Sequence, residues 1–345
     1  MSFIMNIRSV AKYESKILVR SWFFRIFTLL AVVFLGFFNF AMMLMEDNFG
    51  LWFAKSVSSN IPYLNLLLLN TGQAVVAVFL SSEFLKRDKK LDTSEVFYVR
   101  PLSNAEYVVG KIWGNLRVFL FLNLLVLAIV LAFNFMASGV TVDLPAYLVY
   151  FFLISIPTLI FIIGLSIFLM LLLKNQALTF ILLLGYIGLT LFYIQDKFYY
   201  LFDYMVYNLP LFKSTIVGFS NLELILNHRA IYFFAGLGFI FFTIFLFKRL
   251  PNARRSHYPW LFLSFCMFLL MVTAGFRHVR SILWEGEMRA LYTSINNKYV
   301  YEPKMAIDYY DISVEQKSET IRSVVGMEGT ALAASEVFIF CLNPG

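Results

Sequence analysis

The sequence predicts an all-α polytopic membrane protein that ends in a short β-containing tail, and three observations carry that prediction. The 345-residue chain is 60% hydrophobic and 14% charged, whereas soluble domains average about 45–50% apolar and about 25% charged. The apolar excess sits in long charge-free runs such as Phe119–Phe133 and Tyr147–Leu173. The basic residues, 28 against 21 acidic for a formal charge of +7, cluster in the links between those runs. Only a helix satisfies its own backbone hydrogen bonds in lipid, and about 20 apolar residues take it across. Basic links set topology and meet anionic lipid, so the charge implies a bilayer as partner and no nucleic acid.

The elements follow in order. Residues 3–20 predict a basic amphipathic helix in the membrane interface. Phe3, Ile4, Ile7, Val10, Ala11, Ile17 and Leu18 recur at helical spacing, with Arg8, Lys12, Lys16 and Arg20 on the other side. Glu14 interrupts the apolar stripe. The run Phe27–Leu44 is too long for a signal-peptide core and lacks a small-residue cleavage site, so it is a retained first span. Seven spans are expected, over 22–45, 61–83, 110–136, 146–173, 176–194, 230–248 and 258–276. The basic residues before the first span, after the second, after the fourth (Lys174) and after the sixth (Arg249, Arg254, Arg255) then share one side. The positive-inside rule makes that side cytoplasmic, with the N-terminus inside and the C-terminus outside. Asn65, Asn70, Gln73 and Asn123 lie within the runs. Their plain role is interhelical hydrogen bonding, and lining a transport path is the sharper alternative. Pro157 predicts a kink in the fourth span.

Residues 195–229 are too aromatic for an open loop and too broken for a span, so short re-entrant helices are expected there, buried in protein or lining a cavity. From Arg277 charges of both signs return. The alternation over Tyr309–Glu315 and the apolar run Val337–Leu342 predict β-strands. The stop at Asn343-Pro344-Gly345 follows a strand pattern directly and suggests a fragment of a longer chain.

The most informative stretch joins the second and third spans. Asp92 with Glu95 resembles a capping box, so a short helix is expected to start at Thr93, and Pro101 after Arg100 ends it. Ser103 with Glu106 is a second capping box, which opens the third span. Gly110 and Gly114 let another helix pack closely on its first turns. A short helix with two defined corners, joined to two spans, is either an ordinary capped loop helix or a mechanical handle for a soluble partner.

The segment resembles the coupling-helix loop of type-2 ATP-binding-cassette (ABC) exporter permeases. The matching positions are Arg87 and Asp88, Thr93 and Glu95, Arg100 and Pro101, Ser103, Glu106, Gly110 and Lys111. Asp92 stands where the family usually has glycine, and the spacing from Asp88 is slightly longer. The family's amphipathic N-terminal helix, six spans and broken re-entrant helices between the fifth and sixth extend the resemblance over about residues 1–250. It implies residues 1–21 as an interfacial helix and 22–250 as a six-span permease core, with a coupling helix near 92–100 and a re-entrant region at 195–229. A seventh span (251–276) and an extracytoplasmic tail (277–345) are similar to a bacterial arrangement in which such a permease is fused to a zinc aminopeptidase-like domain. The resemblance implies a permease subunit of the bacterial inner membrane, paired with itself or a second permease. ABC ATPase subunits would supply ATP and Mg chemistry.

The chain itself is expected to be no enzyme. No P-loop sequence G-x-x-x-x-G-K-[ST] occurs, no H-E-x-x-H and no G-x-S-x-G. His228, His257 and His278 are isolated, and Cys266 and Cys341 have no metal-ligand spacing, so no metal or cofactor of its own is expected. Acidic residues deep in the spans, expected of a proton-coupled carrier, are lacking. The competing expectation is a membrane anchor for an aminopeptidase-like domain.

Overall fold

The computed structural model describes residues 2–44, 57–90, 102–136, 142–194, 196–209, 211, 213, 218–219, 221–247, 258–302, 305–317 and 320–334, with the helical backbone alone over 82–90. The helices are α1 (Ser2–Arg20), α2 (Trp22–Leu44), α3 (Asn60–Lys90), α4 (Asn104–Met136), α5 (Leu144–Leu173), α6 (Gln176–Ile194), α7 (Leu222–Leu246) and α8 (Tyr258–Lys298). Strands β1 (Met305–Lys317) and β2 (Thr320–Ala331) follow. Helices α2 to α8 are each long and apolar enough to cross a membrane, so the chain is an all-α multi-pass membrane protein with a short β tail.

The chain divides into two compact units, residues 1–213 with 221–277, and residues 214–220 with 278–345. The core of the first lies on α3 and α5. In their most apolar stretches 67% and 61% of residues are buried, against 22% in both α2 and α6, which leave most of their surface for lipid. Helix α7 packs along α5 at a crossing made by two glycines. A Cβ on Gly236 would stand 2.7 Å from the Ile160 carbonyl, and one on Gly164 would stand 2.6 Å from the Gly236 carbonyl oxygen. Without a hydrophobic drive between helices in lipid, such small-residue contacts let van der Waals packing hold the pair.

Helix α1 docks on α4 rather than lying free in the interface. Its buried face is Ala11, Glu14, Ser15 and Leu18, while Phe3, Ile4 and the basic residues Arg8, Lys12, Lys16 and Arg20 are exposed. Glu14 therefore does not interrupt a lipid-facing stripe; it sits in the protein contact itself. Gly110 and Gly114 provide the close approach expected of them, with a Cβ at either position within 2.9 Å of an α1 atom.

Other expectations are corrected. The sixth span begins at Leu222, not 230, and so includes Glu223, His228 and Arg229. The sequence reading leaves those residues in the re-entrant region; His228 and Arg229 are buried against backbone carbonyls, while Glu223 is exposed and pairs with Arg277. Helix α3 continues through Arg87 and Asp88 to Lys90, beyond the expected end at 83. Among its described residues before α7, the re-entrant region has one 3-10 turn, over Phe198–Tyr200, followed by non-helical backbone, in place of the expected short helices. At Pro157 the expected disruption is a π turn over Phe151–Ser155. The helix of the seventh span does not stop at 276. It runs to Lys298, because returning charge does not end a helix of good formers such as Leu283, Glu285, Met288, Arg289 and Leu291.

In the second unit β1 and β2 form an antiparallel hairpin with a bulge between Ile307 and Tyr309. The expected strand at 309–315 lies inside β1, β2 was not foreseen, and Val337–Leu342 lies outside the described residues. Because side chains alternate across a strand, Tyr310, Ile312 and Val314 share one face with their partners Met327 and Val325. That face is exposed.

Candidate functional site

The first turns of α4 gather three helices. Ser103 and Glu106 close the capping box: the Ser103 N–H donates to Glu106 Oε2 at 2.6 Å, and the Glu106 N–H donates to Ser103 Oγ at 3.1 Å. The same carboxylate accepts from Asn6 Nδ2 on α1 at 2.9 Å. Two residues before Glu106, Asn104 Nδ2 donates to the Phe247 carbonyl at 2.6 Å and so caps the end of α7. Tyr107 stacks on the Phe247 ring at 5.5 Å. A turn further in, Lys111 pairs with Glu14 at 3.7 Å, both almost fully buried. Arg117 reaches back to the Ala11 carbonyl at 2.8 Å, and Ser15 donates to the Gly114 carbonyl at 2.7 Å. A displacement of the chain entering α4 therefore pulls directly on α1 and α7. Ser103→Ala is expected to cost about 1 kcal/mol, the worth of a helix N-cap, and to speed hydrogen exchange at the Glu106 amide; unchanged exchange would refute the cap.

Midway along the bundle the in-span amides join. Asn39 and Asn65 bond reciprocally at 2.7 and 3.1 Å. Asn70 and Ser155 both donate to Asn123 Oδ1, at 3.1 and 2.8 Å, and Asn123 Nδ2 donates to Gln73 Oε1 at 2.9 Å. All of these side chains are buried. Each bond contributes about 0.6–2 kcal/mol, so the cluster pins α3, α4 and α5 together from within, which is the plain role the sequence suggested. Asn123→Leu is expected to lower the thermal midpoint of the detergent-solubilised chain, because it leaves Gln73 and Ser155 without that partner.

A third constellation holds the segment between α6 and α7. Proline lacks an N–H, so Pro157 leaves the Leu153 carbonyl without its helical donor. Arg229 Nε fills that place at 2.6 Å, and its other nitrogens reach the Ile154 carbonyl at 3.3 Å, Thr158 Oγ1 at 2.8 Å and the Tyr204 carbonyl at 2.9 Å. One guanidinium thus joins α5, α7 and the irregular segment. His228 Nε2 donates to the Tyr200 carbonyl at 3.0 Å and Tyr232 donates to the Leu201 carbonyl. Asp203 accepts from the N–H groups of Tyr207 and Asn208 at 2.9 and 2.8 Å, closing the next turn. Burial pushes its carboxyl above the usual carboxylate range, although those N–H groups and the nearby Arg229 cation pull it back. Phe161, Tyr186, Tyr204 and Tyr232 wall the assembly, with ring centroids 5.1–6.3 Å apart. Farther on, Lys213 pairs with Asp143 at 2.8 Å while Tyr150 donates to the Leu211 carbonyl at 2.6 Å. The 3-10 turn is left-handed, with φ of 52°, 58° and 62° at Phe198, Tyr199 and Tyr200. That conformation costs roughly 1–2 kcal/mol per residue and is sustained here by His228 on the carbonyl of Tyr200 and Tyr232 on that of Leu201, the residue after the turn.

Of the residues matched to the coupling loop, Ser103, Glu106, Gly110 and Lys111 come together at the start of α4. Arg87 and Asp88 lie on the helical backbone of α3, and Asp92, Thr93, Glu95, Arg100 and Pro101 lie outside the described residues. Sequence reasoning missed Arg229, Asp203 and Lys213. The usable signal was Pro157, since an internal proline in a span requires an outside donor for the freed carbonyl. Among the described residues no group of three or more His, Cys, Asp or Glu is placed to hold a metal. Comparison with protein-family models and with curated proteins finds no match to this chain.

Proposed function

We propose that the chain is the membrane-spanning permease subunit of an ABC exporter, driven by a separate ATPase. The observation that carries this reading is the first turn of α4. There Glu106 and Asn104 bond to α1 and to the end of α7, directly beyond the segment that resembles a coupling helix. Nucleotide-driven closure of a pair of ATPase subunits, carrying ATP and Mg, would push residues 92–103 on each of two paired permeases. The capping box would pass that push into α4, and the side-chain ties would pass it to α1 and α7. The irregular segment 196–213 would form the outer gate. By the positive-inside rule α1 and the 82–103 link would face the cytoplasm and the hairpin would lie outside, and the resemblance to exporter permeases would make the membrane a bacterial inner membrane.

The test is an affinity pull-down of the detergent-solubilised chain, wild type against the Arg87→Ala, Thr93→Ala, Glu95→Ala triple variant, with partners identified by mass spectrometry. An ATPase subunit retained by wild type and lost from the variant is the expected result. A folded wild type that retains none overturns the reading. The division into two units favours a second reading in that event, a membrane anchor for an aminopeptidase-like domain.

A further inference from the structure

A cavity of about 340 Å³ opens beside the junction of α1 and α2, lined by Glu14, Leu18, Arg20, Ser21, Leu80 and Asn115. Its volume lies at the low end of small-ligand clefts, about 300–1,000 Å³. Two of its polar side chains are themselves buried, Glu14 at 3% and Asn115 at 2% exposed, while Arg20 is exposed. A carboxylate and an amide thus line the interior, a guanidinium stands toward solvent, and Leu18 and Leu80 supply apolar wall. Ser21 is the single residue between a basic amphipathic helix and the first span, a position at the depth of lipid headgroups.

We propose that this cavity binds the headgroup of a zwitterionic phospholipid carrying a primary amine, with the ammonium on Glu14 and Asn115 and the phosphate on Arg20 and Ser21. The charge order of the site matches that of the ligand. Lys111 already faces Glu14 at 3.7 Å, but an ionised carboxylate offers about four acceptor positions and serves both cations. A primary ammonium donates three hydrogen bonds and a quaternary one donates none, so phosphatidylethanolamine is selected over phosphatidylcholine. Phosphatidylglycerol satisfies Arg20 but brings no cation to Glu14. The site is independent of whether the chain works with an ATPase.

The full chain is purified in detergent with an equimolar mixture of those three lipids, and retained lipid is counted by native mass spectrometry. Wild type is expected to retain the ethanolamine lipid about fivefold over either of the others, the worth of one net hydrogen bond. Glu14→Gln removes the preference, and Arg20→Gln lowers retention of all three. Because Glu14→Gln also weakens the contact with Lys111, Leu80→Trp is the second variant: it fills the cavity from α3 and leaves that ion pair in place. Equal retention of the three lipids by wild type overturns the proposal, as does undiminished preference in a Leu80→Trp chain of normal thermal midpoint.

Discussion

Arg229→Met is expected to cost the folded protein about 3 kcal/mol, and Pro157→Ala in the same chain is expected to return about 1–2 kcal/mol of it. Methionine keeps much of the side chain's length and apolar stem but abandons four acceptors, the carbonyls of Leu153, Ile154 and Tyr204 and the hydroxyl of Thr158. A buried acceptor left without a donor costs about 1–3 kcal/mol. Alanine at 157 restores an N–H that can take the Leu153 carbonyl, so the loss of Arg229 then strands one group fewer. The double-mutant cycle is read from thermal midpoints in detergent. Equal costs of Arg229→Met in the two backgrounds would show that the arginine does not stand in for the proline's missing donor. Arg229→Lys is expected to recover little, because a point-like ammonium cannot span acceptors from α5 and the irregular segment as a planar guanidinium does.

Gly236→Val is expected to abolish the native packing of α7 on α5. The new Cβ meets the Ile160 backbone at 2.7 Å, and backbone cannot yield as a flexible side chain can. Overpacking costs typically about 1–3 kcal/mol where side chains can shift, and more is expected here because two helices must separate. The same separation pulls Arg229 from α5, so the loss of folded, monodisperse protein on size-exclusion chromatography should exceed that of Gly185→Val, where a Cβ meets nothing within 4 Å. Comparable behaviour of the two variants would mean that the crossing is looser than 2.7 Å.

Much of the architecture was legible residue by residue because the bilayer imposes simple rules. Length and absence of charge located the apolar helices, and Ser103 with Glu106 marked the start of α4 because a capping box needs only four consecutive residues. Gly110 and Gly114 announced a close neighbour but not its identity. The failures share a cause. The sequence reading leaves Glu223, His228 and Arg229 in the re-entrant region and ends the seventh span near Arg277, because a rule based on hydropathy assigns charge to water. For His228 and Arg229 the protein supplies another solvent, the carbonyl oxygens of its own broken backbone, whereas Glu223 and most residues after Arg277 are exposed on helices that simply continue.

The sequence by itself therefore determined a helical membrane protein, the order of its apolar helices and the capping box that opens α4, since those depend on local composition and on backbone hydrogen bonding in lipid. Only the tertiary structure decided that α1 buries Glu14 against Lys111, that α5 and α7 meet through Gly164 and Gly236, and that Arg229 binds the carbonyl freed by Pro157. Glu14 and Lys111 are about a hundred positions apart, and the other pairs are about seventy. What brings them together is the free energy of satisfying buried polar groups and packing bare backbone, which no local window of sequence contains.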